Sequence, residues 1–126
     1  MSVRAEKEIK NMLEDCGWFS TRASGSRGPA DIISINENAE FLIQVKETSK
    51  DSIYAGKDVK WLNKTIRDLN LKAKGFLAVK FSKIKKWIWC DVKKMVSSDV
   101  TKVSSEENEY CKELKKCPKY SEEDER

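Results

Sequence analysis

Asp31 opens one apolar run, Ile32-Ile33-Ser34-Ile35, while Gln44 and Lys46 close the next, Phe41-Leu42-Ile43-Gln44-Val45-Lys46. The turn-forming residues Asn36-Glu37-Asn38-Ala39 lie between the runs, so the two read as a β-hairpin. Successive side chains on a strand alternate faces, which puts residues 44 and 46 on one face and Val45 on the other. With Asp31 brought alongside by the neighbouring strand, that face holds the groups for metal-assisted phosphodiester hydrolysis. A carboxylate oxygen binds a hard cation, and a second polar oxygen adds to the donor set. The ammonium orients water or offsets charge on phosphorus.

Composition narrows the alternatives. The chain has 126 residues and no histidine, which excludes histidine acid/base chemistry and Ser/Cys-His triads. Catalysis must run on carboxylates, lysine and a bound ion. The four cysteines, Cys16, Cys90, Cys111 and Cys117, contain no C-x-x-C pair, so no zinc site is expected. They are expected as reduced, uncoordinated thiols, although Cys111 and Cys117 are near enough in sequence for a disulfide.

The formal net charge is +4, unevenly spread. Residues 1–103 carry 20 Lys/Arg against 13 Asp/Glu, and residues 104–126 carry 5 against 8. A basic body suits a polyanion, because neutralised phosphates release counterions. No apolar run approaches the roughly 18 residues of a membrane span, and the charged N-terminus lacks a signal-peptide pattern. A cytoplasmic protein with no membrane partner is expected.

The elements that must position these groups follow from period and punctuation. Val3, Ile9, Met12 and Leu13 give a helical stripe over residues 3–15, with Ser2 as cap and Gly17 as stop. Residues 18–22 read as a short strand. The small-residue stretch Ser24-Gly25-Ser26-Arg27-Gly28-Pro29 is the densest loop signal in the chain. After the hairpin, residues 48–56 read as a polar connection containing Tyr54. Val59, Leu62, Ile66 and Leu69 mark a second helix over residues 57–72, ended by Gly75. Strands follow at 76–81 and 87–92. The order α-β-β-β-α-β-β predicts an α/β fold, a mixed β-sheet flanked by helices. One domain is expected over residues 1–103, followed by a charged tail (104–126). That tail would hold a short helix around residues 106–116 at most, with a disordered end.

Taken together, Ala5-Glu6-Lys7-Glu8, Gly17, Arg22, Ser24-Gly25-Ser26, Asp31-Ile32-Ile33, Gln44-Val45-Lys46, Ser49-Lys50-Asp51, Tyr54 and Leu77-Ala78-Val79-Lys80-Phe81 resemble the archaeal Holliday junction resolvases. These belong to the PD-(D/E)xK nuclease superfamily, with a restriction-endonuclease-like fold. The resemblance covers roughly residues 3–92. It implies an endonuclease that resolves four-way DNA junctions by metal-dependent hydrolysis, in recombination and repair. Mg²⁺ is the implied ion, with Mn²⁺ able to substitute. It further implies a homodimer, since a four-way junction has two-fold symmetry and needs paired nicks.

Roles carry over by position. Asp31 matches the main metal ligand, Lys46 the catalytic lysine, and Glu6 an active-site glutamate assisting the metal. Gln44 and the Val45 backbone carbonyl complete the implied metal set. Arg22 matches a phosphate-contacting arginine, Ser24 a serine on a loop near the scissile phosphate, and Lys80 a basic position facing DNA. Lys7, Gly25, Ser26 and Arg27 join the implied DNA surface. Tyr54 either supports the lysine or packs.

Two positions depart from the pattern. Gln44 stands where a carboxylate is usual, so the site should hold its ion less tightly. Ala30 separates Pro29 from Asp31, which touches loop shape rather than chemistry. Two other readings compete: a restriction-type or repair endonuclease of the same superfamily, acting on other DNA, and a non-catalytic junction-binding protein. Three of the four tryptophans, Trp61, Trp87 and Trp89, lie in one half of the chain, as core or as dimer interface.

Overall fold

The computed structural model describes residues 3–23 and 28–118. The chain runs α1 (Val3–Asp15), β1 (Phe19–Arg22), β2 (Ile32–Ile35), β3 (Glu40–Thr48), β4 (Ser52–Tyr54), α2 (Gly56–Asp68), β5 (Lys74–Phe81), β6 (Lys86–Asp91), α3 (Val92–Ser97), β7 (Lys102–Ser104) and β8 (Cys111–Glu113). Six strands form one sheet in the order β1-β2-β3-β5-β6-β8. Only β3 and β5 are parallel, and α2 makes the crossover between them. The other neighbours are antiparallel. The expected mixed sheet flanked by helices is what the chain forms.

Strand alternation divides the interior in two. Phe41, Ile43 and Val45 of β3, with Phe76 and Ala78 of β5, pack beneath Ala5, Ile9 and Leu13 of α1. Aromatic rings fill this layer: Phe41 stacks on Trp18 at 4.3 Å, and Phe76 stacks on Trp89 at 4.6 Å between centroids. Leu77, Val79 and Phe81 take the opposite face, under Val59 and Leu62 of α2 and Val92 and Met95 of α3. Trp87 and Trp89 are therefore core residues, whereas Trp61 is 47% exposed.

Several boundaries differ from the sequence expectation for identifiable reasons. The second helix ends at Asp68, four residues early, because Asn70 adopts a left-handed backbone (φ 51°) and turns the chain toward β5. Gly75 is not the helix stop. It lies inside β5, where a Cβ would stand 2.9 Å from Ile66 Cδ1 and 3.3 Å from Leu62, so α2 packs closely over the bare glycine backbone there. Gly17 does end α1, with φ 87° and its amide donating to the Glu14 carbonyl. Ser2, the expected cap, lies outside the described residues.

Four short elements escape periodicity altogether. β4 arises in the expected polar connection and pairs with β7 as a separate two-stranded sheet. α3 begins where Asp91 accepts a hydrogen bond from the Lys94 amide. The expected helix around residues 106–116 is instead β8, the edge strand beside β6. The expected tail thus contributes to the main sheet, and the end expected to be disordered lies, from residue 119 on, outside the described residues.

The cysteines also depart from expectation. Cys90 and Cys111 face each other across β6 and β8 and form a disulfide, and Cys16 forms a second with Cys117. Cys111 and Cys117, close in sequence, are not partners. The β6–β8 pairing brings Cys111 to Cys90, and Cys117, beyond β8, meets Cys16 just after α1.

Candidate active site

Gln44 and Lys46 occupy the face of β3 that looks toward α2, since their odd-numbered neighbours are committed to the α1 core. β2 and β3 pair with Ile32 opposite Ile43, and Asp31 lies one residue beyond that pair. Its position is stitched rather than loose. The Asp31 amide donates to the Ile43 carbonyl at 2.8 Å, and its carbonyl accepts from Ala23 at 2.8 Å. The Asp31 carboxylate Oδ2 accepts from the Val45 amide at 2.8 Å. A side chain thus continues the pairing where the β2 ladder stops, which brings the carboxylate beside Gln44.

Burial raises the Asp31 carboxyl above its ordinary value, opposed by the hydrogen bond from Val45. The nearby charges of Glu6 and Asp58 push it further up, and Lys46 pulls it down. All four charged groups therefore share one electrostatic neighbourhood. Lys46 Nζ is 2.6 Å from Asp58 Oδ2, in the first turn of α2.

Glu6 reaches the same place from α1. It is one of few buried charged residues (8% exposed), and its Oε1 accepts from Arg22 Nε at 3.3 Å and Nη2 at 3.2 Å. Asp31, Lys46 and Glu6 thus lie within one charged group, with Arg22 bonded to Glu6 and with Gln44 next to Val45, whose amide donates to the Asp31 carboxylate. Lys80 lies on the α1 face and pairs with Glu8, which also accepts from Trp87 Nε1 at 3.1 Å. Burial works against the Glu8 charge, but the bonds from Lys80 and Trp87 win and hold its carboxyl below the usual range. Lys7 is exposed on α1. Tyr54 is 75% exposed, with Lys102 Nζ 5.7 Å from its ring centre, so it does not pack, and the group holding Lys46 is Asp58. Ser24, Gly25, Ser26 and Arg27 lie outside the described residues.

Asp58 is the residue that sequence reasoning missed. Nothing in its spacing separates it from the other polar residues of α2. Its role depends on how that helix docks on β3.

The donor atoms can be tested against a cation. Gln44 is buried (6% exposed), and its Oε1 has no hydrogen-bond partner among the described residues. A buried carbonyl oxygen left unpaired costs about 1–3 kcal/mol, and a hard cation is one group that satisfies it. Asp31 beside it supplies negative charge. Among the described residues no group of three or more His, Cys, Asp or Glu could hold a metal ion. An ion at this face would therefore draw on neutral oxygens such as Gln44 Oε1 as well as on the Asp31 carboxylate.

Comparison with known proteins gives concordant results. The family model described as archaeal Holliday junction resolvase (Hjc) matches residues 2–125. Among solved structures, Hjc of Archaeoglobus fulgidus, a Holliday junction resolvase from an archaeal hyperthermophile, superposes with a TM-score of 0.65. It is 24% identical, over 81% of this chain and 85% of its own. The bacterial homing endonuclease I-Ssp6803I matches with a TM-score of 0.53 at 13% identity, over 84% of this chain and 76% of its own. The shared scaffold is the restriction-endonuclease-like mixed sheet.

Proposed function

This chain belongs to the archaeal Holliday junction resolvase family and is a nuclease that resolves branched DNA; we propose that it hydrolyses junction phosphodiesters at the Asp31–Gln44–Lys46 face, with Mg²⁺ as its ion. The family is divalent-metal dependent. The observation that carries the assignment of the site is the unpaired Gln44 Oε1, buried on the same face as Asp31 and Lys46.

Asp31 and Gln44 would hold the ion through oxygen, with Glu6 and the Val45 carbonyl as further donors. When bound, the ion supplies Lewis-acid polarisation of the phosphoryl oxygens and a more acidic water. The chain does the rest. The Lys46 ammonium orients the attacking water and offsets charge that develops on the phosphorane oxygens. Asp31 is fixed by the Val45 amide, so it needs little reorganisation when substrate arrives. Arg22, oriented by Glu6, presents its remaining N–H groups to a backbone phosphate. Ser24, Gly25, Ser26 and Arg27 follow Arg22 in sequence and are the further candidates for phosphate contact.

The working species is a homodimer, because paired nicks across a two-fold junction need two such faces. Trp61, Leu69 and Leu71 leave apolar surface exposed on and just after α2, the kind of surface that subunit contact covers. The test sets a synthetic four-way junction against matched linear duplex and a Y-fork, with Mg²⁺ or with EDTA. Paired symmetric nicks in the junction alone, abolished by EDTA, are expected. Equal cleavage of all three would point to a restriction-type or repair nuclease, and binding without nicking to a non-catalytic junction protein.

A further inference from the structure

Gln44 brings no charge to the site, which leaves two carboxylates, Asp31 and Glu6, facing two cations, Lys46 and Arg22. Glu6 is already matched by Arg22. If Lys46 were unmatched, it would cancel Asp31, and the face would have no net attraction for a cation. Asp58 removes that conflict. Its Oδ2 lies 2.6 Å from Lys46 Nζ, and its charge is felt at Asp31.

Its location is fixed by the backbone. The Ala55 amide donates to the Thr101 carbonyl at 2.8 Å, one residue before α2 begins. Gly56 packs so closely that a Cβ there would stand 2.9 Å from Thr101 Cγ2. The first turn of α2, and Asp58 with it, is thereby pinned through the segment leading into β7.

We propose that Asp58 is a positioning residue of the nuclease site, which holds the Lys46 ammonium in place and supplies the carboxylate charge that Gln44 lacks. The inference rests on the active-site reading above. It assigns to an α2 side chain the electrostatic work that a glutamate at position 44 would do from β3. Asp58 acts on the ion through Lys46 and through its field, so its removal should affect ion affinity as well as rate.

The test compares wild type, Asp58→Asn, Asp58→Glu and Asp58→Asn combined with Gln44→Glu. Mn²⁺ affinity without DNA is read by electron paramagnetic resonance, single-turnover nicking on a bound junction is read by gel, and a thermal melt checks the fold. Asp58→Asn should weaken Mn²⁺ binding about tenfold and slow nicking by a similar factor. Asp58→Glu should recover most of both. Adding Gln44→Glu to Asp58→Asn should return Mn²⁺ affinity to within about threefold of wild type, since the charge is restored from β3. Asp58→Ser makes the same comparison if the asparagine variant melts out. Unchanged Mn²⁺ affinity in Asp58→Asn, no recovery with Gln44→Glu, or no saturable binding by wild type would overturn the proposal. If the affinities behave as stated and no variant nicks DNA, the functional reading fails while the assignment of Asp58 stands.

Discussion

Two lysines on adjacent strands, Lys46 on β3 and Lys80 on β5, each pair with a helix carboxylate, yet their surroundings differ. Lys80 meets Glu8 on the α1 face, and Trp87 donates to that same carboxylate. Every charge in that group has a partner, and the Glu8 carboxyl is held low. Lys46 meets Asp58 on the α2 face beside an unpaired Gln44 oxygen and an Asp31 carboxyl pushed high. A satisfied ion pair locks an element in place. One beside unsatisfied donor atoms and a disfavoured charge leaves room for a ligand. The same chemical pair is thus structural on one face and part of the candidate site on the other.

The largest test of this contrast is catalytic. Lys46→Ala should slow junction nicking by roughly 100-fold or more, the order expected when a transition-state charge contact is lost. Lys80→Ala should leave it within about threefold, since Lys80 pairs with Glu8 on the α1 face, away from Asp31 and Gln44. Comparable losses in both would mean that the two faces act together. Melting in EDTA provides a smaller effect with opposite signs. Glu8 is held below its unfolded value, so its contribution is present at neutral pH and disappears as pH falls through the lowered folded pKa. Glu8→Gln should lower Tm at pH 7 by about 3 °C, corresponding to about 1 kcal/mol after allowance for solvent screening, with the gap closing in acid.

Asp31 is held above its unfolded value, so its ionisation destabilises the metal-free fold at neutral pH and ceases to do so below the ordinary aspartate range. Asp31→Asn should therefore raise Tm at pH 7 by about 1–3 °C, with no such gain in acid. A lower Tm would mean that the Val45 hydrogen bond outweighs burial. The smallest effect concerns DNA itself. Lys80→Gln should leave the slope of log K against log salt for junction binding unchanged. A slope reduced by about one would place Lys80 on a phosphate.

How much of this was legible in the sequence varied with the kind of interaction. The hairpin that aligns Asp31 with Gln44 and Lys46 showed in its two-residue alternation and in its turn. The helices showed in their apolar stripes. Asp58 and Glu8 did not, because each is one polar residue on a polar helix face, and its partner is set only when the helix docks. Glu8 and Lys80 are 72 residues apart. β8, with Cys111 as its only apolar residue, has no sheet pattern of its own and exists by pairing its backbone with β6. The cysteines were expected as free thiols, with Cys111 and Cys117 as the one nearby pair, whereas the actual bridges span 101 and 21 residues. Local period survives into the fold. Pairing across the sheet is decided by topology.

The account stands most directly on Asp31. Single-turnover cleavage of a four-way junction at saturating Mg²⁺, compared between wild type and Asp31→Asn, with junction binding measured in EDTA, isolates its role. The account predicts retained binding and a loss of cleavage of about 1,000-fold or more, since the charged oxygen donor is gone while the backbone-bonded shape remains. Cleavage by Asp31→Asn within about tenfold of wild type would contradict it.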